Sequence, residues 1–262
     1  EIGSGLVGSE MCIRDRICGR GVPEEEAPGH GVREEMTDYI AELHSHAEPK
    51  LAEFSSKLNP GKGDVIGVRI PTIREIAKRI VKDDWRAFLD IGPRCFEEEV
   101  LHGLVIATAP MGIEERIAMT DGFLHIVDNW ATCDIFCVSW KFKKADTDRA
   151  WTYFSSLIDS DDEFKMRVSV VARFSLFKDA EHSKKLLEDI ATHDHPGYYY
   201  RMGSAWAVST IYVRYPEPVV SLLESGRMET WTHNKSIQKI CESRRVTDGD
   251  RMLVKGLRRR EA

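Results

Sequence analysis

Apolar residues recur at three- and four-residue spacing along almost the whole of this chain, in segments separated by short breaks, many of which carry Pro, Gly, Asp or Asn. That period belongs to helices with one buried face, and no break offers the Asn-Gly or Asp-Gly between alternating apolar residues that marks a hairpin. The pattern predicts a helix from a Thr37 cap toward Leu58, with Ile40, Leu43, Ala47, Leu51 and Phe54 on one face, ended by Asn59-Pro60-Gly61. Pro71 opens the next, and further helices are expected over Asp84–Asp90, Cys95–Thr108, Gly112–Val127, Asn129–Phe142, Thr147–Ile158, Asp161–Phe177, Ala180–Thr192, Tyr199–Tyr215, Pro218–Glu224, Thr230–Ser243 and Thr247–Arg258. Val65 to Ile70 is the one stretch that could be a strand, and it is short.

Such a run of helices builds either a globular bundle or a stack of antiparallel pairs, and a second periodicity favours the stack. Trp130 is followed one helical turn later by Asp134, then by Arg167 after 33 positions and Trp206 after 39 more. These steps approach the period of two-helix repeats, in which side chains one period apart project from the same face. A bundle gives no reason for that interval. The expected fold is therefore all-α, a right-handed α-α superhelix, in which an anion, a cation and two indoles share a face suited to a flat cationic ligand.

Residues 1–35 are set aside as a leader that is non-native or disordered. Leu6–Arg16 (LVGSEMCIRDR) resembles the in-frame translation of a sequencing adapter, and the stretch that follows is rich in Gly, Pro and Glu. The natural chain is expected to begin near Met36, with residues 36–262 forming a single domain. Removing the leader changes the charge argument. It carries eight acidic and four basic residues, so the net charge of −6 falls to −2 over residues 36–262. From Arg227 to the end, ten Lys and Arg face five Asp and Glu, leaving +5 at the C-terminal end and −7 over residues 36–226, a distribution that does not argue against a nucleic-acid partner.

No apolar run approaches the ~18 residues that cross a bilayer, and Cys95, Cys133, Cys137 and Cys241 sit inside helical patterns. Reduced packing thiols in a cytoplasmic, monomeric protein are the simplest account. Metal ligation is not expected: Cys133 and Cys137 have no second ligand pair at suitable spacing, and His44-x-His46 and His193-x-His195 have no third partner. Phosphate-binding glycine loops and hydrolase triads are absent too, so no cofactor is expected.

The ordered segments Val127-Asp128-Asn129-Trp130-Ala131-Thr132-Cys133-Asp134, Lys165-Met166-Arg167 and Gly203-Ser204-Ala205-Trp206 together resemble the bacterial DNA alkylation repair glycosylases built from HEAT-like repeats. Gly67-Val68-Arg69-Ile70-Pro71 and Asn234-Lys235-Ser236-Ile237-Gln238-Lys239-Ile240 share the likeness, which spans essentially all of residues 36–262. The resemblance implies excision of cationic N-alkylated purines such as 3-methyladenine and 7-methylguanine from double-stranded DNA. It also implies roles. Asp134 would stabilise the oxocarbenium-like sugar and orient water, Trp130 and Trp206 would wall the lesion, and Arg167 would hold a phosphate and keep the carboxylate ionised.

For DNA binding, Asn234, Lys235, Gln238 and Lys239 lie within about a turn and a half of one helix, with Arg244 and Arg245 just beyond. Phe54 and Lys57 fall near where the family places an aromatic and a basic residue beside the lesion. Plainer readings stand beside each assignment: core indoles, a structural ion pair between repeats, a solvated basic helix face, a frayed tail at Arg258-Arg259-Arg260, and Asn129 or Asp128 as helix caps. The rival function is a non-catalytic repeat module that binds damaged or branched DNA or a protein partner; a protein scaffold indifferent to DNA is a third.

Overall fold

The structure, a computed structural model, describes residues 30–260. Among these are fourteen α-helices: α1 (His30–Ser45), α2 (Pro49–Leu58), α3 (Ile70–Ile80), α4 (Trp85–Leu89), α5 (Phe96–Thr108), α6 (Ile113–Leu124) and α7 (Trp130–Ser139), then α8 (Thr147–Ser156), α9 (Glu163–Leu176), α10 (Ala180–Thr192), α11 (Tyr198–Tyr212), α12 (Pro216–Ser225), α13 (Thr230–Glu242) and α14 (Asp248–Lys255). No strand occurs among the described residues, and no helix there is long and apolar enough to cross a membrane.

The fold is the expected all-α repeat superhelix. Helices α3, α5, α7, α9, α11 and α13 pack each on the next to form one layer, while α6 packs on α8 and α10 on α12 in the other. The first-layer helices α5, α7, α9, α11 and α13 begin at Phe96, Trp130, Glu163, Tyr198 and Thr230, steps of 34, 33, 35 and 32 residues. Asp134 and Arg167 are each the fifth residue of their helix, so their 33-residue interval is a true repeat step. Trp206 belongs one turn further along α11, where Met202 holds the fifth place.

Local chemistry sets the helix starts. Asp84, Asn129, Asp162, Asp179, Glu229 and Thr247 cap α4, α7, α9, α10, α13 and α14 by accepting from backbone N–H groups that would otherwise lack partners. Pro49, Pro71 and Pro216 occupy the first turns of α2, α3 and α12, where a missing N–H costs nothing. Two apolar clusters, one from Ile40 to Ala109 and one from Ile106 to Val254, join through Leu89 and Met119, which touch both.

Three expectations need correcting. The helix predicted from Thr37 to Leu58 is two helices, because Pro49 cannot donate to a continuing helix and starts α2 instead. Thr37 lies within α1, which begins at His30, rather than capping it; residues 1–29 of the leader, Leu6–Arg16 included, lie outside the described residues. The strand-like Val65–Ile70 is a loop up to α3, in which buried Glu97 accepts the N–H groups of Ile66, Gly67 and Val68 (3.0, 2.7 and 3.3 Å), taking the place of a neighbouring strand for those three. Gly67 there has φ +82°, and a Cβ on it would lie 2.4 Å from both Ala52 N and Glu48 O. Only glycine fits that position.

Candidate active site

Helices α7, α9, α11 and α13 and the C-terminal end of α2 surround a cavity of about 540 Å³. Trp130, Asp134, Arg167 and Trp206 all line it, together with Lys57 and Lys239. Six of the twelve residues singled out from the sequence thus meet at one place.

Asn129 starts the construction. Its side chain accepts from Thr132 N (2.8 Å), which fixes the first turn of α7 and the direction of Trp130 beside it. The Trp130 indole N–H then donates to the carbonyl of Leu58 (2.9 Å), tying α7 to the end of α2. Asp128 does not cap; it pairs with Lys62, which also holds Glu99 of α5, and this buried lysine clamps the loop after α2 onto the first layer. The cavity wall formed by Lys57, Leu58 and Pro60 therefore has two independent anchors.

One turn into α7, Asp134 faces Arg167 of α9. The guanidinium fork donates Nε to Oδ1 at 2.9 Å and Nη2 to Oδ2 at 2.8 Å, and Nη1 donates to the Tyr199 carbonyl at 2.6 Å. Side-chain exposure is 13% for the aspartate and 5% for the arginine. Gly203 makes this possible, because a Cβ there would come within 3.3 Å of Arg167 Cγ and Nη1. Burial pushes the Asp134 carboxyl above the ordinary aspartate value while Arg167 pulls it down, and burial prevails. Arg167 is itself held more firmly protonated, since the carboxylate outweighs its desolvation. Arg167 is thus committed to Asp134 and the backbone. Where a phosphate contact was expected of it, its side chain is buried, bonded to the carboxylate and to the Tyr199 carbonyl, and orients Asp134.

Trp206 stands edge-on to Phe174 with ring centroids 4.7 Å apart, partly buried and partly facing the cavity. Beside it, half-buried Lys239 has its pKa lowered by burial, with the charges of Lys235 and Arg167 acting in the same direction. No carboxylate lies within salt-bridge range of Lys239 among the described residues. Arg245 joins Lys239 and Trp206 along an adjoining hollow.

The remaining sequence candidates divide. Arg244, like Arg245, is exposed. Lys235 donates to Gln238 (3.0 Å) and lies over the Trp231 ring, and Gln238 donates to Glu242 (2.7 Å), so part of this basic face is internally satisfied. Asn234 is a correction. It is buried, accepting from Arg259 N (3.0 Å) and donating to Arg259 O (2.9 Å), and so pins the chain end instead of facing DNA. Within the Arg258-Arg259-Arg260 tail read as frayed, Arg259 is anchored by the same bonds and by its Nη1 on the Met228 carbonyl (2.8 Å), while Arg258 and Arg260 are exposed. Phe54 is 59% exposed on α2, which has no buried residue, and Lys57 pairs with Glu53. His193 and His195 bond separately to Asp159 and to the Asp161 carbonyl.

Tyr198, Tyr199 and Met202 also line the cavity and were missed by the sequence reading. They precede Trp206 by eight, seven and four positions, the spacing of one helical stripe, so the signal was present. Cys133 and Cys137 lie fully buried beneath the same stretch of α7 as packing thiols.

The successive layers of this helical-repeat protein bring a buried carboxylate–guanidinium pair, two indoles and a lysine without an acidic partner to one hollow, an arrangement with the chemistry to receive something flat, cationic and joined to an anion. The family model for DNA alkylation repair enzymes matches residues 39–240, most of the chain, and the chain belongs to that family. No curated protein matches it significantly. DNA is accordingly its substrate, and its role lies in alkylation repair.

Proposed function

We propose that this protein is a monofunctional DNA glycosylase that removes cationic N-alkylated purines, 3-methyladenine and 7-methylguanine among them, from duplex DNA. The observation that carries the reading is the convergence of Trp130, Asp134, Arg167, Trp206 and Lys239 on a single cavity. The indole faces attract the positive purine by about 0.5–2 kcal/mol. As the N-glycosidic bond lengthens, its electron pair leaves with the base, which departs neutral, and positive charge moves to the deoxyribose. Asp134 opposes that charge from a site of low exposure, where its effect is largest. Each of its oxygens retains a lone pair beyond the one used by Arg167, enough to orient the water that attacks C1′. The water oxygen bonds to C1′, its proton is released, and an abasic site remains.

With Arg167 occupied, the phosphate next to the lesion falls to Lys239, with Arg245 on the strand beyond. Lys57, Arg244, Lys235 and Gln238 extend the DNA-facing surface, and Phe54 lies at its edge.

One feature favours a second reading. Both Asp134 oxygens accept from Arg167, which also suits a structural pair in a module that binds DNA without cutting any bond. Incubation with methylated duplex DNA and measurement of the free bases separates the two. Wild-type protein should release 3-methyladenine and 7-methylguanine, and Asp134→Asn should lose about 10²–10³ in rate. Full release by a folded Asp134→Asn protein would reject the catalytic assignment, and no release by the wild type would favour the binding module.

A further inference from the structure

The sequence pairs His44 with His46, but the structure brings His44 to α5 instead. His44 Nε2 lies 2.7 Å from Glu98 Oε1, and Cys95 Sγ completes a group whose three ligand atoms all lie within 4.8 Å of one another. Glu98 and Cys95 are buried, at 1% and 6% exposure, while the His44 side chain is 44% exposed and opens the cluster to solvent. None of the three lines the active-site cavity.

We propose that His44, Cys95 and Glu98 form a zinc-binding site that staples α1 to the start of α5. One sulfur, one imidazole nitrogen and one carboxylate oxygen are a donor set zinc accepts, with water in the fourth position. Ligand bonds of about 2.0–2.3 Å require the donors to stand somewhat further apart than the present 2.7 Å between His44 and Glu98. The half-exposed imidazole is free to make that movement. The Glu98 carboxylate is oriented through its other oxygen, which accepts from Arg94 N at 2.8 Å, a supporting bond of the kind that steadies metal ligands. Burial and the nearby Glu98 and Glu97 push the Cys95 thiol up to about 11, so the thiol is protonated at neutral pH. Zinc binding would release that proton to solvent. A thiolate and a carboxylate then balance the charge of the ion, provided that the exposed Arg94 guanidinium, now 3.5 Å from the same Glu98 Oε1, turns out to solvent.

Cobalt(II) is the probe, added to the purified full-length chain, with bound zinc measured separately after dialysis. The expected result is a thiolate-to-cobalt charge-transfer band, one site-specific equivalent of zinc, and a rise of several degrees in melting temperature with zinc. Cys95→Ser and His44→Ala should each lose the band, one equivalent of zinc and the melting shift, and Cys241→Ser should keep all three. His44→Ala alters a half-exposed side chain and guards against loss through misfolding. Absence of the band in the wild type, or its survival in Cys95→Ser, would overturn the proposal. Failure here leaves base release untouched, so the site and the glycosylase reading are judged separately.

Discussion

Asp134 shows how one residue's surroundings set its chemistry. Burial raises its carboxyl pKa above the ordinary value, and Arg167 opposes the rise without cancelling it. The catalysis proposed for Asp134 requires the ionised form, so acidification should abolish base release, and the loss should begin at higher pH than an unperturbed aspartate would give. A pH–rate profile under single-turnover conditions tests this; an acid limb at or below the usual aspartate range would contradict the burial argument. Losing half of a buried pair costs about 3–5 kcal/mol, so Asp134→Asn should also melt earlier, and assays belong well below its midpoint. The identities of these residues and their order were legible in the sequence. The pairing of Arg167 with Asp134 was among the readings the sequence allowed, but its third bond, to the Tyr199 carbonyl, was not, because a guanidinium has no fixed backbone partner until the fold places one within reach.

At the scale of elements, polar groups decide where helices start and loops turn. Glu97 and Gly67 together fold the segment before α3 against α2. Gly67→Ala would force a Cβ into the backbone of α2 and strain a left-handed residue, a loss of about 1–3 kcal/mol readable in a urea or thermal melt. Because this loop adjoins the α2 wall of the cavity, base release should weaken as well; an unchanged melt would show that α2 yields freely. Most helix boundaries were readable to within a few residues, since caps and prolines act locally. The break at Pro49 was overlooked because the apolar spacing continues across it from Leu43 to Leu51 and Phe54. Val65–Ile70 was ambiguous for a related reason: its Val and Ile residues fit a short strand, while the carboxylate that accepts from Ile66, Gly67 and Val68 N–H lies about thirty positions away at Glu97.

For the whole molecule, the question is which basic residues meet DNA. Lys239→Ala and Arg245→Ala should each reduce the salt dependence of duplex binding by about one unit of slope without changing lesion preference. Asn234→Ala should leave that slope unchanged and lower the melting temperature, because its bonds hold Arg259 within the protein. Filter binding across a salt series, with a melt for each variant, distinguishes the two kinds of residue. By itself the sequence determined the all-α class, the repeat interval and the chemical types at the site, because periodicity and residue identity are carried along the chain. The tertiary structure alone decided which of those side chains share the cavity, that Lys239 lies free there while Arg167 does not, and that Asn234 points inward. The physical reason is that burial and pairing depend on neighbours from other helices, and a repeat step fixes the face from which a residue projects, not what it meets there.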